Sequence, residues 1–160
     1  MRVAILTISD AGSRGEREDR SGPAIASWTE NHGWRVSVRR VVPDEASEIA
    51  GVLREWADAD RADLILTTGG TGLTRRDVTP EATRPVLERE APGIPEAMRA
   101  AALAEFPRAA LSRAVAGTRG RTLIINLPGS PGGVRDGLAV LDGFVEHAVE
   151  LLRGERTEHE

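Results

Sequence analysis

Asp63-Leu64-Ile65-Leu66-Thr67-Thr68-Gly69-Gly70-Thr71-Gly72 is an almost continuous apolar run that passes through two hydroxyl residues into three glycines. Such a run, without polar alternation, suits a strand buried on both faces, as in parallel sheets. Val3-Ala4-Ile5-Leu6-Thr7-Ile8 and Thr122-Leu123-Ile124-Ile125-Asn126-Leu127 read the same way, the second ending at Pro128-Gly129. Trp34-Arg35-Val36-Ser37-Val38-Arg39 instead alternates, which suits a strand with one polar face near the sheet edge. Between the runs lie helical patterns. Ile49, Val52, Leu53 and Trp56 share one stripe after Pro43-Asp44, and Thr79-Pro80-Glu81 reads as a helix opening with Thr79 as N-cap. The Ala-rich stretch from Pro95 to Phe106 favours helix. Val134, Leu138, Leu141, Val145, Ala148 and Leu152 advance by four and three, predicting one long closing helix. Strands separated by helices predict an α/β fold: a three-layer sandwich with a mainly parallel sheet flanked by helices. Residues 1–153 form one domain in this reading, and 154–160 a polar tail.

Ligands bind such sheets beyond the carboxyl ends of the strands. That directs attention to the residues after Ile8, Thr68 and Leu127. Gly69, Gly70, Thr71 and Gly72 permit positive φ and bare backbone against a ligand, with Arg75, Arg76 and Asp77 following. The stretch is neither a Walker loop nor a dinucleotide fingerprint. A tight turn and a phosphate site are the two readings, and the neighbouring charges favour the second. Asp77 either caps a turn or serves as a carboxylate for Mg²⁺ shared with substrate phosphates. Asp44 sits where the second helix needs an N-cap. Ser9 and Asp10 face the site by their strand-end position, while the charged remainder up to Gly22 reads as a surface segment. Asn126-Leu127-Pro128-Gly129-Ser130 has the irregular backbone of either a stiff turn or a wall that reads an adenine edge.

Composition narrows the chemistry. The 160 residues suit one domain, with 25 acidic against 21 basic residues and a net charge of −4, which argues against a nucleic-acid binder. Without Cys there is no disulfide, thiolate nucleophile or thiolate metal site, which points to the cytoplasm. Every basic residue is Arg. Val3–Ile8 is too short for a signal-peptide core, and no run approaches the ~20 apolar residues of a membrane span. No Gly-x-Ser-x-Gly elbow exists, Ser130 lying in Gly-Ser-Pro, so a serine hydrolase is excluded. His32 ends a helix before Gly33, His147 falls in the closing helix and His159 in the tail, leaving no His placed as a general base.

Thr68-Gly69-Gly70-Thr71-Gly72 with Arg76-Asp77-Val78-Thr79-Pro80-Glu81-Ala82, then Leu111-Ser112-Arg113-Ala114, then Asn126-Leu127-Pro128-Gly129-Ser130-Pro131, resembles the MogA/MoaB family of molybdenum-cofactor biosynthesis and the G domain of gephyrin. The resemblance covers nearly the whole chain, and its motifs occur in the family's order. It implies a molybdopterin adenylyltransferase that joins molybdopterin to the adenylyl group of Mg-ATP and releases pyrophosphate. On that likeness Asp77 and Asp44 are the functional carboxylates, Asp77 toward Mg²⁺ and Asp44 toward the pterin. Gly69, Gly70, Thr71 and Gly72 would hold phosphates, Ser112 the ligand, and Asn126, Pro128, Gly129 and Ser130 the nucleotide wall. It further implies a trimer or dimer of trimers, and a downstream molybdenum insertase as a partner. The chain is shorter than MogA relatives near the last motif, as in MoaB-type members. Two rivals share the fold: the CinA-type nucleotide pyrophosphatase, which shows Leu and Asp where this chain has Thr71 and Arg76, and a non-catalytic molybdopterin-binding or assembly module.

Overall fold

The computed structural model describes residues 1–154; the polar tail beyond 154, with His159, lies outside the described residues. The chain runs β1 (Arg2–Ile8), α1 (Asp10–Ser13), α2 (Ser21–Asn31), β2 (Arg35–Val42), α3 (Ala46–Asp58), β3 (Leu64–Thr68) and α4 (Thr79–Thr83). It continues through a 3-10 turn (Arg84–Val86), β4 (Arg89–Glu90), α5 (Gly93–Leu103), a second 3-10 turn (Pro107–Leu111), β5 (Ala116–Arg119), β6 (Thr122–Leu127), α6 (Pro131–Leu141) and α7 (Val145–Arg153).

The strands form one sheet in the order β2-β1-β3-β6-β5-β4. β2, β1, β3 and β6 are parallel, with Ile5 opposite Leu66 and Leu66 opposite Ile125. Their alternate side chains enter two separate cores. Ile5, Leu64, Leu66, Leu123 and Ile125 meet Ile25, Val134, Leu138 and Val145 on one face. Ala4, Leu6, Ile65 and Ile124 meet Ile49, Leu53 and Trp56 on the other. Burial on both faces is why these runs lack polar alternation, and each fully buried Ile or Leu contributes roughly 1.5–3 kcal/mol. β2 is the edge strand that its alternation predicts, and Arg35, Arg39 and Arg40 keep it exposed to water rather than to another strand.

Four local expectations change. The closing helix is two helices, because Asp142-Gly143 interrupts it; Val134, Leu138, Leu141 and Val145 of the predicted stripe are buried, while beyond the break Val149 takes the buried place and Ala148 and Leu152 are half-buried. Asp142 is drawn outward to accept from Trp28 Nε1 at 2.8 Å. The helix read over Pro95 to Phe106 starts earlier and ends at Leu103, with Phe106 entering the second 3-10 turn. Two short antiparallel strands have no apolar run to mark them: β4 is the charged pair Arg89-Glu90, and β5 opens on Ala116-Gly117. β5 joins β6 through Gly120-Arg121, where Gly120 takes φ +56°, the conformation a two-residue hairpin requires. Gly117 leaves room for the Arg89 carbonyl of β4. Finally, Thr79 does not cap its helix: α4 has five residues, with Val78 in the cap position and no side-chain cap bond.

Candidate active site at the strand ends

β1, β3 and β6 run parallel and end together at Ile8, Thr68 and Leu127. The chain leaves β1 toward β2 on one side, while β3 lies on the other, so their loops diverge and open a crevice. A cavity of about 690 Å³ fills it. Its lining includes Ser9, Asp44, Gly69, Gly70, Asp77, Gly129 and Ser130 from the predicted set, joined by Asp19 and Ser21.

Gly69 and Gly70 form the floor, with φ of +99° and +68°. A Cβ on Gly69 would strike the Ile8 carbonyl, and one on Gly70 would strike Thr79 Oγ1 and come within 3.1 Å of Asp44 Oδ1. Both positions therefore demand glycine twice over, by dihedral and by space. Thr79, fully buried, donates its hydroxyl to the Gly69 carbonyl at 2.8 Å and its amide to the Gly70 carbonyl at 3.0 Å. Thr68 Oγ1 donates to the Pro128 carbonyl at 2.6 Å, and Ser21 Oγ to the Gly129 carbonyl at 3.0 Å. With these carbonyls tied down to side chains, the loops after β3 and β6 are held together.

Two eleven-residue helices begin at the cavity. Ser130 Oγ caps α6 by accepting from the Gly133 amide at 3.1 Å, and Asp19 Oδ1, one residue before the cap position Arg20, accepts from the Gly22 amide in the first turn of α2 at 2.9 Å. Their positive dipole ends favour an anion there. This role belongs to α2 and α6, and not to the short α4.

The carboxylates have distinct settings. Asp44 and Asp10 exchange bonds: the Asp10 amide donates to Asp44 Oδ2 at 2.8 Å and the Asp44 amide to Asp10 Oδ1 at 3.0 Å. Asp44 therefore does not cap α3, which starts at Ala46 after Glu45. Burial pushes the Asp44 carboxyl above its ordinary range, and the charges of Asp10 and Asp77 add to this against the Asp10 amide and Arg76. The hydrogen-bonded Arg76 guanidinium holds Asp10 below the ordinary range. Asp77 Oδ2 accepts from the Thr74 amide at 2.9 Å and Thr74 Oγ1 at 2.8 Å, so the turn-capping reading is realised while the residue still lines the cavity. Among the described residues no group of three His, Cys, Asp or Glu is arranged to hold a metal. Asp77 on the cavity fits a different mode, in which a hard cation takes as few as one carboxylate and completes its shell with water and substrate phosphates.

A family model described as "Probable molybdopterin binding domain" matches residues 4–147. This chain belongs to that family. The molybdopterin-binding-family fold also aligns with a Thermus thermophilus molybdopterin biosynthesis enzyme MoaB, at a TM-score of 0.90 and 54% identity over 96% of each chain. Molybdopterin adenylyltransferase of Escherichia coli is 40% identical over 96% of this chain and 86% of its own length. Gephyrin of Dictyostelium discoideum is 42% identical over 94% of this chain, which spans 22% of that longer protein.

Within this family member, several predicted site residues lie elsewhere. Asn126 is fully buried: Nδ2 donates to Thr67 Oγ1 at 2.9 Å and Thr83 Oγ1 at 3.1 Å, and Oδ1 accepts from the Val115 amide at 3.1 Å. It ties three segments behind the floor and forms no wall. Ser112 does not line the cavity and instead accepts the Ala114 amide at 3.3 Å; Thr71, Gly72 and Pro128 are also absent from the lining. Asp10 stands one contact back, behind Asp44. In the Leu111-Ser112-Arg113-Ala114 motif the consequential residue is Arg113, whose guanidinium donates to the Gly72 and Asp77 carbonyls at 2.8 Å each and pairs with Glu81. The segment read as plain surface, Arg17 to Ser21, is a cavity wall. Asp19-Arg20-Ser21-Gly22 carried the signal, an acid just before a helical start, placed to accept from a first-turn amide.

No helix among the described residues is long and apolar enough to cross a membrane.

Proposed function

We propose that this chain is a molybdopterin adenylyltransferase. The observation that carries the reading is the glycine floor set between two cavity-lining carboxylates, Asp44 and Asp77, and beneath the N-termini of α2 and α6. A polyphosphate needs these parts: bare amides, positive helix ends and a carboxylate for its cation. The reaction forms a bond from a molybdopterin phosphate oxygen to the α-phosphorus of ATP and breaks the bond from that phosphorus to the bridging oxygen. Pyrophosphate leaves with the electron pair, and nothing is oxidised or reduced. The attacking oxygen is already anionic, so the site needs positioning and charge neutralisation rather than a strong base. When bound, Mg²⁺ would supply neutralisation of the triphosphate charge. Asp77 serves as its protein ligand, Gly70 offers its amide to the phosphates while the Gly69 amide is held by the Leu127 carbonyl at 3.3 Å, and Ser130 and Gly129 border the nucleotide. Asp44, across the floor, serves the pterin side.

The reading places the protein in the cytoplasm, with the adenylylated product passing to a molybdenum insertase. It also takes the protein as a trimer or dimer of trimers. Leu73, Leu103, Phe106 and Leu111 support association, being 66, 42, 49 and 50% exposed, large and apolar. Incubation of pure protein with molybdopterin, Mg²⁺ and ATP should yield adenylyl-molybdopterin and pyrophosphate in equal amounts. Binding of molybdopterin without turnover would leave only the assembly-module reading, and cleavage of a dinucleotide pyrophosphate in its place would favour the hydrolase.

A further inference from the structure

Arg76 precedes Asp77 but is not part of the cavity lining. Although its side chain is 55% exposed, its guanidinium is committed to protein acceptors. Nε and Nη2 fork onto Asp10 Oδ2 and Oδ1, each at 2.9 Å, and Nη2 also donates to Glu45 Oε1 at 2.9 Å. Three separate stretches meet at this one group: the start of α1, the residue before α3, and the extension of the glycine loop. The Asp10 carboxylate so held receives the Asp44 amide, while the Asp10 amide holds the Asp44 carboxylate. Asp44 Oδ1 lies over Gly70, and Asp77 Oδ2 sits within 2.8 Å of where a Cβ on Gly72 would stand. The two carboxylates therefore flank the glycine loop from opposite ends. Exposed ion pairs add little to stability. The consequence of this network is one of geometry.

We infer that Arg76 is a positioning residue, whose fork on Asp10 sets the Asp10–Asp44 pair and thereby holds the Asp44 carboxylate in register with Asp77 across the glycine floor. The inference rests on the transferase reading, and it assigns to Arg76 no contact with substrate. A rival role for an exposed arginine at a phosphate site is direct capture of the triphosphate. The two differ in what replaces it. A planar fork that spans Asp10 and Glu45 cannot be reproduced by the point charge of lysine, whereas a phosphate can accept from either.

The test uses the full chain and four variants: Arg76→Ala, Arg76→Lys, Asp10→Asn and the Arg76→Ala/Asp10→Asn double. Misplacement of one reacting group should lower kcat roughly 10-fold in Arg76→Ala while KM for ATP moves less than about twofold. Arg76→Lys should not restore the rate. Asp10→Asn should lose about as much as Arg76→Ala, and the double variant no more than either, since both break one network. Independently of turnover, amide hydrogen exchange at Asp10 and Asp44 should accelerate in Arg76→Ala with β3 and β6 unchanged. Removal of a surface side chain should move Tm by less than about 2 °C. A raised KM for ATP at unchanged kcat, rescue by lysine, additive losses, or unaltered exchange at the two amides would each overturn the positioning role. An unmodified chain that forms no adenylyl-molybdopterin would overturn the transferase reading instead, and exchange would still decide whether Arg76 organises the pair.

Discussion

Asp77 is a turn residue in the structure and a cation ligand in the proposed function, and one substitution separates the two roles. Its Oδ2 accepts both the amide and the hydroxyl of Thr74, at 2.9 and 2.8 Å, which stitches the turn before α4. In Asp77→Asn the amide oxygen can accept both of those bonds, and the site is open to water. The cost should stay below the ~1 kcal/mol of a lost cap, so Tm should fall by less than about 4 °C for a domain of this size. Catalysis should respond differently, because the change removes a full negative charge from the proposed hard-cation site. Loss of one electrostatic group of this kind costs roughly 10²-fold or more, about 2.7 kcal/mol of transition-state stabilisation. Asp77→Ala should lose the same activity and the whole cap, while Thr74→Ala, which removes one donor but no charge, should keep a rate within roughly threefold of the original, in line with loss of one exposed hydrogen bond. The assay is steady-state adenylylation of molybdopterin at saturating Mg-ATP, with Tm measured on the same samples. A folded Asp77→Asn protein that turns over at the original rate would refute the cation role and reduce Asp77 to a turn residue.

Gly70→Val places a β-branched side chain at φ +68° and against Thr79 Oγ1; backbone strain alone costs roughly 1–3 kcal/mol, so Tm should drop and calorimetric ATP affinity should fall at least about tenfold, in line with loss of one good phosphate contact. Unchanged ATP affinity in the folded variant would remove the loop from the nucleotide site. Asp44→Asn keeps the acceptor for the Asp10 amide and removes a charge that burial disfavours, so the ligand-free protein should be more stable at pH 7 than the original. Because burial raises the folded-state pKa of Asp44, the original binds its proton more tightly folded than unfolded; the advantage of the variant is full above that raised value and fades as pH falls through it toward the ordinary carboxylate range. A Tm difference between pH 7 and pH 4 that stays constant would contradict the burial of that charge. Light scattering should return three or six times the 17.1 kDa chain mass, and Leu111→Glu should lower it; a monomer at all concentrations would rule the assembly out.

The parallel sheet, its edge strand and the strand-end position of the site were legible in the sequence because they depend on local patterns. Val3–Ile8, Asp63–Thr68 and Thr122–Leu127 are apolar throughout only if both faces are covered, and Gly69-Gly70 after a buried strand marks backbone that other residues cannot adopt. Resemblance then singled out Asp44 and Asp77, which do share the cavity. What each polar side chain faces was decided by tertiary structure. Asn126 lies in a strand whose alternate residues point to opposite sides, and only the docking of β5 and α4 supplies the Val115 amide and Thr83 hydroxyl that draw it into the core. Asp44 looks like a helix cap until β1 brings the Asp10 amide beside it from 34 residues away. Arg113 reads as one more charged residue until the glycine loop presents two carbonyls to its fork. Local periodicity reports which face of an element is apolar, whereas a hydrogen bond forms with whatever partner the packing of distant segments delivers. The sequence by itself therefore determined where the candidate site lies, which backbone builds its floor and some of the side chains that line it, and the tertiary structure alone determined which of the other polar side chains turn into the core and which join the wall.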